Sequence, residues 1–396
     1  MTSAGRLVSR TLSFLAAAIA LLAFSSCARG PAPSDQLSLE PASFAELPGW
    51  RADKLAAALP ALVRSCAALA KLPDTASAGP EGSAIYAADW RATCAAAHDV
   101  PAGNDGAARA YFERWFQPFL AKGNAGPDGL FTGYYEPELA GARQPDARYH
   151  VPLYGKPRDL VTAELGLFDD GLAGKHVVGH VADGRLLPYA TRAEIEAGAA
   201  SFDAPTLFWV TDPIELFFLQ IQGSGRLKLP DGSLVHVGYA AENGRRYSAI
   251  GKILVQEGEL RLEEVSLQSL KAWLRAHPRR AKTIMDRDNS YVFFREVTGE
   301  APVGAEGVAL TPGRSLAIDP HFLAYGLPVW LDIESPEGHG RLERLVVAQD
   351  RGGAIRGPVR GDLFWGAGAE AERHAGTMRA HGRYYLLLPR KAVPIS

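Results

Sequence analysis

The chain has 396 residues, 47% of them hydrophobic and 22% charged, with a formal net charge of −2. This is a globular composition with room for two ordinary domains, and it excludes a disordered or fibrous chain. The near-neutral charge and the lack of any Lys/Arg block argue against a polyanion partner, so no nucleic-acid ligand is expected.

The N-terminus differs in kind from the rest. Arg6 and Arg10 precede an almost unbroken apolar run from Leu12 to Phe24, then Ser25, Ser26 and Cys27. This is the pattern of a secretory signal. An uncleaved anchor helix is the alternative, but the run is shorter than the about 20 residues that a membrane span needs. Phe24-Ser25-Ser26-Cys27 resembles the end of a bacterial lipoprotein signal, with Phe24 where a Leu is usual. Cys27 is then the expected lipidation site, several acyl chains the expected anchor, and residues 28–41, rich in Pro, Ser and Ala, a flexible linker. Ala28 after the cysteine implies sorting to the outer membrane, with the protein facing the periplasm.

Ala/Leu-rich stretches with helical spacing follow at 51–71, 84–98 and 106–121, separated by Gly and Pro clusters. Export puts Cys66 and Cys94 in an oxidising compartment. A disulfide stapling the first two helices is expected there, with a free buried pair as the alternative. From Leu130 the texture becomes β-like. Arg226 to Val237 reads as a hairpin turning at Pro230-Asp231-Gly232-Ser233. Helices are expected at 247–257 and 266–276. Strands are expected at Tyr291 to Phe294, Leu316 to Ile318, Pro328 to Ile333, Leu345 to Ala348 and Tyr384 to Leu388. The picture is α+β and mainly β, a helical N-terminal part and two β-rich parts built as small barrels.

The chain contains no Gly-x-Ser-x-Gly elbow, no Walker loop and no Asp-Thr-Gly or Asp-Ser-Gly. His176 and His180 lack the Glu of a metalloprotease helix, and Gly223-Ser224-Gly225 lacks the third glycine of a dinucleotide loop. What remains is carboxylates. Asp319 and Asp350 end apolar strands, and Asp362 sits between Gly361 and the apolar trio Leu363-Phe364-Trp365. Each taken singly is a plausible turn former; three in one β-rich segment, each within two residues of glycine or proline, point to a site.

Those segments carry a resemblance. Ala317-Ile318-Asp319-Pro320, Ala348-Gln349-Asp350-Arg351-Gly352-Gly353-Ala354-Ile355 and Gly361-Asp362-Leu363-Phe364-Trp365-Gly366 resemble a bacterial domain named for three aspartates, as it occurs in the membrane-bound lytic murein transglycosylase A family. Phe131-Thr132-Gly133-Tyr134-Tyr135-Glu136-Pro137, Phe218 to Gly225 and Asn289 to Phe294 match as well, so the resemblance covers roughly 130–388. It implies a double-psi β-barrel made from 42–136 and 289–396, with a second β-barrel-like, glycan-binding domain inserted at 137–288 and the glycan between them.

The implied activity is cleavage of peptidoglycan glycan strands by one carboxyl, Asp362, which serves first as acid and then as base and leaves 1,6-anhydro ends. Burial beside Leu363, Phe364 and Trp365 favours a protonated Asp362. Asp319 and Asp350 are the supporting pair, which orient the acid, bind sugar hydroxyls or hold loops. Tyr134, Tyr135, Gln220, Gln222 and Gly223 are candidate sugar contacts, with burial in the core as the competing fate for the Tyr and Gln side chains. No metal or organic cofactor is expected. The expected partners are glycan strands, the membrane through the lipid anchor, and candidate cell-wall synthesis or division proteins. The rival readings are a non-catalytic peptidoglycan-binding or scaffold module and a lysozyme-like hydrolase.

Overall fold

The computed structural model describes residues 35–198, 202–299 and 302–390. Cys27 and the signal-like segment lie outside the described residues. Among the described residues no helix is long and apolar enough to cross a membrane.

The first element among the described residues is strand β1 (Ser38–Pro41), which takes up the last four residues of the expected linker. Helices α1 (Leu59–Leu69), α2 (Ala87–Ala97) and α3 (Asp105–Trp115) follow, then strands β2 (Phe116–Lys122) and β3 (Gly129–Glu136). The first helix starts later than the composition implied, with Pro60 in its first turn, where the missing N–H costs nothing. Asn104 caps α3 by accepting from the Ala107 amide at 2.9 Å. The third expected helix is wrong beyond Trp115. Pro118 cannot donate inside a helix and pushes Gln117 to extended backbone, so the segment becomes β2. Cys66 on α1 and Cys94 on α2 are bonded, with a Cα–Cα distance of 5.5 Å.

The middle of the chain forms its own sheets. A six-stranded sheet holds β4 (Glu138–Ala142), β5 (Val151–Tyr154) and four later strands, and a meander of β6 (Val161–Glu164), β7 (His176–Ala182) and β8 (Arg185–Pro188) stands beside it. After α4 (Arg192–Glu196) come β9 (Thr206–Val210), α5 (Pro213–Gln222), β10 (Ser224–Lys228) and β11 (Leu234–Glu242). Then come α6 (Ile250–Gln256), α7 (Leu267–Ala276), α8 (Pro278–Met285) and β12 (Val292–Val297). The larger sheet runs β12-β11-β10-β4-β9-β5, and a bridge between Gly155 and Phe294 joins its outer strands, so it is barrel-like. The expected hairpin is β10–β11, and Gly232 takes the left-handed φ of +84° that its turn requires. His176 and His180 both lie on β7, about 13 Å apart along a strand, too far to share a metal ion.

The last segment closes a barrel. Its strands are β13 (Ser315–Ile318), β14 (Pro328–Glu334), β15 (Arg341–Arg351), β16 (Arg360–Ala367) and, after α9 (Ala369–Thr377), β17 (Arg379–Pro389). The ring runs β17-β14-β15-β13-β16-β3 and returns to β17, with β2 and β1 extending from β17. The pairs β13–β15 and β16–β3 are parallel. Phe131, Leu316, Ile318, Leu331, Leu363 and Leu386 fill the interior, and the helices pack against the outside, where Trp330 meets Trp50. β12 pairs with β11, so the chain returns from the insert only after Val297, later than the expected boundary at 289.

The disulfide closes a loop of 28 residues. Chain entropy puts its worth at about 3–4 kcal/mol. A Cys66→Ser/Cys94→Ser variant should therefore unfold at lower urea, with a somewhat higher m-value because its unfolded chain is less compact, and an unshifted midpoint between oxidised and variant protein would refute that contribution.

Candidate active site

Strand alternation sorts the residues of β3, β13 and β16 between two faces. Phe131, Leu316 and Leu363 point into the barrel core. Their neighbours Thr132, Ala317 and Asp362 therefore point outward. The ladder lines them up: Asp362 pairs with Ala317 on one side and Thr132 on the other, and Ala317 also pairs with Asp350 across a register shift. One row on the outer face thus reads Asp350, Ala317, Asp362, Thr132, although these residues are far apart in sequence. Ala317 is the small residue between two acids.

Asp362 is half-buried, so part of it stays reachable from solvent. Thr132 Oγ1 donates to its Oδ1 at 2.8 Å. Burial pushes its pKa up to about 6, and the nearby Asp350 charge adds to this, while Arg360 and the Thr132 hydrogen bond pull the other way. A carboxyl in this state is partly protonated near neutral pH and can both give and take a proton.

Asp350 is engaged at both oxygens. Oδ1 accepts from the Ala305 amide at 2.8 Å and the Arg351 amide at 2.9 Å. Oδ2 accepts from the Tyr134 hydroxyl at 2.9 Å. Burial raises its pKa, and these donors oppose the rise. The Tyr134 ring lies 5.2 Å from that of Phe364 and forms a small cluster with Leu310 and Ala317. Tyr134 is thus a buried support under the row.

Asp319 is separate from this row. Its oxygens accept from the Gly357 amide at 2.9 Å and from His321, whose ring nitrogen lies at 3.0 Å. Burial would raise its pKa, but these donors outweigh it and hold the carboxyl below its ordinary value. Of its three expected roles, the geometry fits loop holding.

The remaining candidates sit at the junction with the insert. Gln220 is 4% exposed, and Arg192 donates to its Oε1, so it is a core residue of the insert and unavailable to a sugar. Gln222 Oε1 accepts from the Tyr135 amide at 3.1 Å, tying the end of α5 to β3. Gly223 caps α5 in the left-handed region, φ 76°. Tyr135 is buried, and its hydroxyl is pushed far up by burial and by Glu372 and Glu215. Lys271, 5% exposed, bridges those same carboxylates at 2.6 Å and 2.7 Å. Glu136, also buried, lies 2.7 Å from His236.

Sequence reasoning assigned no role to Thr132, Arg360, Lys271 or the Glu136–His236 pair. The signal for two of them was present. Thr132 and Tyr134 share a face by period two, as do Arg360 and Asp362.

The raised Asp362 pKa has a stability sign. In the unfolded chain this carboxyl ionises near 3.9, so between about pH 4 and pH 6 only the folded state keeps the proton. Charging it therefore destabilises the fold progressively over that window and fully above it. Asp362→Asn keeps the acceptor for Thr132 and should be more stable than the wild type at pH 8, by up to about 3 kcal/mol in urea melts. The gain should vanish by pH 4. Equal stability at both pH values would show that the carboxyl is not desolvated.

With this geometry in hand, comparisons place the chain. The model of the MltA specific insert domain matches residues 130–295, and that of the 3D domain matches residues 314–388. The membrane-bound lytic murein transglycosylase A of Escherichia coli (strain K12) is 30% identical over 264 residues, 65% of this chain and 65% of that relative. The match thus spans slightly less than two thirds of that relative's length. A crystal structure of Escherichia coli MltA with bound chitohexaose is 27% identical, covers 71% of this chain and 78% of that one, and has a TM-score of 0.57. The crystal structure of the membrane-bound lytic murein transglycosylase from Agrobacterium tumefaciens is 32% identical, covers 90% of this chain and 98% of that one, and has a TM-score of 0.77. The chain belongs to the membrane-bound lytic murein transglycosylase A family.

Proposed function

We propose that this chain is a peptidoglycan lytic transglycosylase that cleaves the β-1,4 bond between MurNAc and GlcNAc, with Asp362 as its one acid and base. The carrying observation is the Asp362 carboxyl itself, half-buried, with its pKa pushed up to about 6 and one oxygen already bound by Thr132. The second oxygen, Oδ2, has no hydrogen bond among the described residues and is free to meet a substrate. A relative that carries bound chitohexaose supports a glycan as the ligand.

The chemistry needs one carboxyl. Protonated Oδ2 gives its hydrogen to the bridging oxygen, and the C1–O bond breaks with its electron pair leaving on that oxygen. Positive charge develops at C1 of MurNAc. The carboxylate now accepts the proton of the same sugar's C6 hydroxyl as that oxygen closes on C1. The product is a 1,6-anhydro ring, no water is consumed, and the acid is regenerated. The nucleophile belongs to the substrate, so its attack is intramolecular.

A hydrolase with two working carboxyls is the competing chemistry. Asp350 is the candidate second group, two strands from Asp362 or about 10 Å by strand spacing. Both of its oxygens are occupied by Ala305, Arg351 and Tyr134, which disfavours it as base or nucleophile. A non-catalytic binding module has no use for an acid held near its working pKa.

In this reading the enzyme is exported and tethered to the outer membrane through lipid on Cys27, facing the periplasm and its peptidoglycan. Cys27→Ala should then fractionate as a soluble periplasmic protein with activity intact. Wild type found soluble, with no acyl mass on its N-terminal peptide, would remove the anchor.

Purified sacculi test the catalytic reading. Mass spectrometry of released muropeptides should show anhydro ends, with no ¹⁸O taken up from labelled water. Asp362→Asn should release them about 10²–10⁴-fold more slowly. Reducing ends carrying ¹⁸O would instead establish a hydrolase, and an Asp362→Asn variant within tenfold of wild type would remove this residue from the chemistry.

A further inference from the structure

Arg360 lies two residues before Asp362 on β16, on the same face of the strand. Its guanidinium stays with the protein. Nη1 donates to the carbonyls of Leu130, at 3.2 Å, and Gly361. Nη2 donates to Thr132 Oγ1 at 2.9 Å, and this hydroxyl is the one that reaches Asp362 Oδ1 at 2.8 Å. The three groups form a short chain, Arg360 to Thr132 to Asp362.

The chain has a direction. A guanidinium has only donors, so Thr132 Oγ1 accepts from Arg360. Thr132 has one hydrogen of its own, and no second acceptor for it appears among the described residues. That hydrogen therefore points at Oδ1. An acidic proton placed on Oδ1 would face it head-on. The exchangeable proton is left to Oδ2.

We propose that Arg360 is a positioning residue which, through Thr132, holds the exchangeable proton of Asp362 on Oδ2, the oxygen that meets the glycan. This rests on the general-acid reading of Asp362. Arg360 carries two opposed effects. Its charge favours the ionised carboxylate, and its hydrogen bond orders the proton that remains. The other charged groups around Asp362 are accounted for. Asp350 on β15 is bound by Tyr134 and two amides. Arg379 on β17, the cross-strand neighbour of Thr132, is exposed. On α9, Glu372 is held by Lys271, and His374 stacks on Trp365.

The test compares Arg360→Met with Arg360→Lys, and Thr132→Val with Thr132→Ser, against wild type and Asp362→Asn. Two readouts are taken from pH 4 to 8: kcat and KM for anhydro-muropeptide release, and the titration of Asp362 by infrared spectroscopy of ¹³C-Asp-labelled protein, differenced against Asp362→Asn. In Arg360→Met, kcat should fall about tenfold with KM nearly unchanged, a fraction of what losing the acid costs. The alkaline limb and the infrared pKa should both move up by about 1 unit, because a cation that lowers the pKa is gone. Thr132→Val should shift both in the same direction, and the Lys and Ser variants should recover most of the loss. Lower kcat with a pKa unmoved or lowered would mark Arg360 as merely structural and overturn the proposal, as would unchanged kcat. Should Arg360→Met fail to fold, the Thr132 pair decides alone. Wild type that releases no anhydro product would defeat the acid reading instead, and the infrared pKa shifts would then still decide whether Arg360 and Thr132 order the proton.

Discussion

The Asp362 carboxyl is held largely out of water, and its raised pKa depends on the barrel built around it. Desolvation of Asp362 depends on the strand order. β13 is flanked by β15 and β16, and β16 by β3, so residues from four strands meet in one row. Ala317 lies between Asp350 and Asp362 in register, and a larger side chain there would enter the space that keeps the two acids near each other. The parallel pairing of β3 with β16 has a topological consequence. Parallel neighbours cannot be joined by a tight turn, so a long excursion must separate them in the chain. The whole insert lies in that excursion, leaving at the end of β3 and returning before β13.

Much of this was legible in the sequence because the physics acts locally. Asp362 stands among apolar residues and glycines, which already implies a raised pKa. The β10–β11 hairpin follows from Pro230 and Gly232, and the Cys66–Cys94 pair from an export signal and two Ala-rich helices. Other features are tertiary and leave no local mark. Three aspartates within two residues of glycine or proline look alike, yet Asp319 holds a loop while Asp362 faces outward beside Thr132. Gln220 looks like a polar residue awaiting a ligand, but Arg192, distant in sequence, needs its oxygen inside the insert. Residues 116–121 carry apolar spacing that suits helix or strand equally. Pro118 is the local signal that decides between them, because it cannot donate inside a helix.

The two lobes keep separate cores. The barrel cluster built on Phe131 and Trp330 shares no residue with the insert cluster built on Leu153 and Phe208. What joins them at the active row is small and mostly polar. A minor apolar cluster unites Tyr135, Ala371 and Ala375 with Leu267. Around it lie the Gln222–Tyr135 bond, the Glu136–His236 pair and Lys271 between Glu215 and Glu372. Apolar contact is non-directional and tolerates sliding. A buried ammonium between two carboxylates does not, because any displacement strands a charge away from water, which costs several kcal/mol. These contacts gather at the end of β3 and on α9, within a few residues of Thr132 and Trp365. The same strand that supplies Thr132 to the acid therefore also carries the insert. One short piece of backbone, Thr132 to Glu136, thus carries both the hydrogen bond to Asp362 and the polar contacts to the insert.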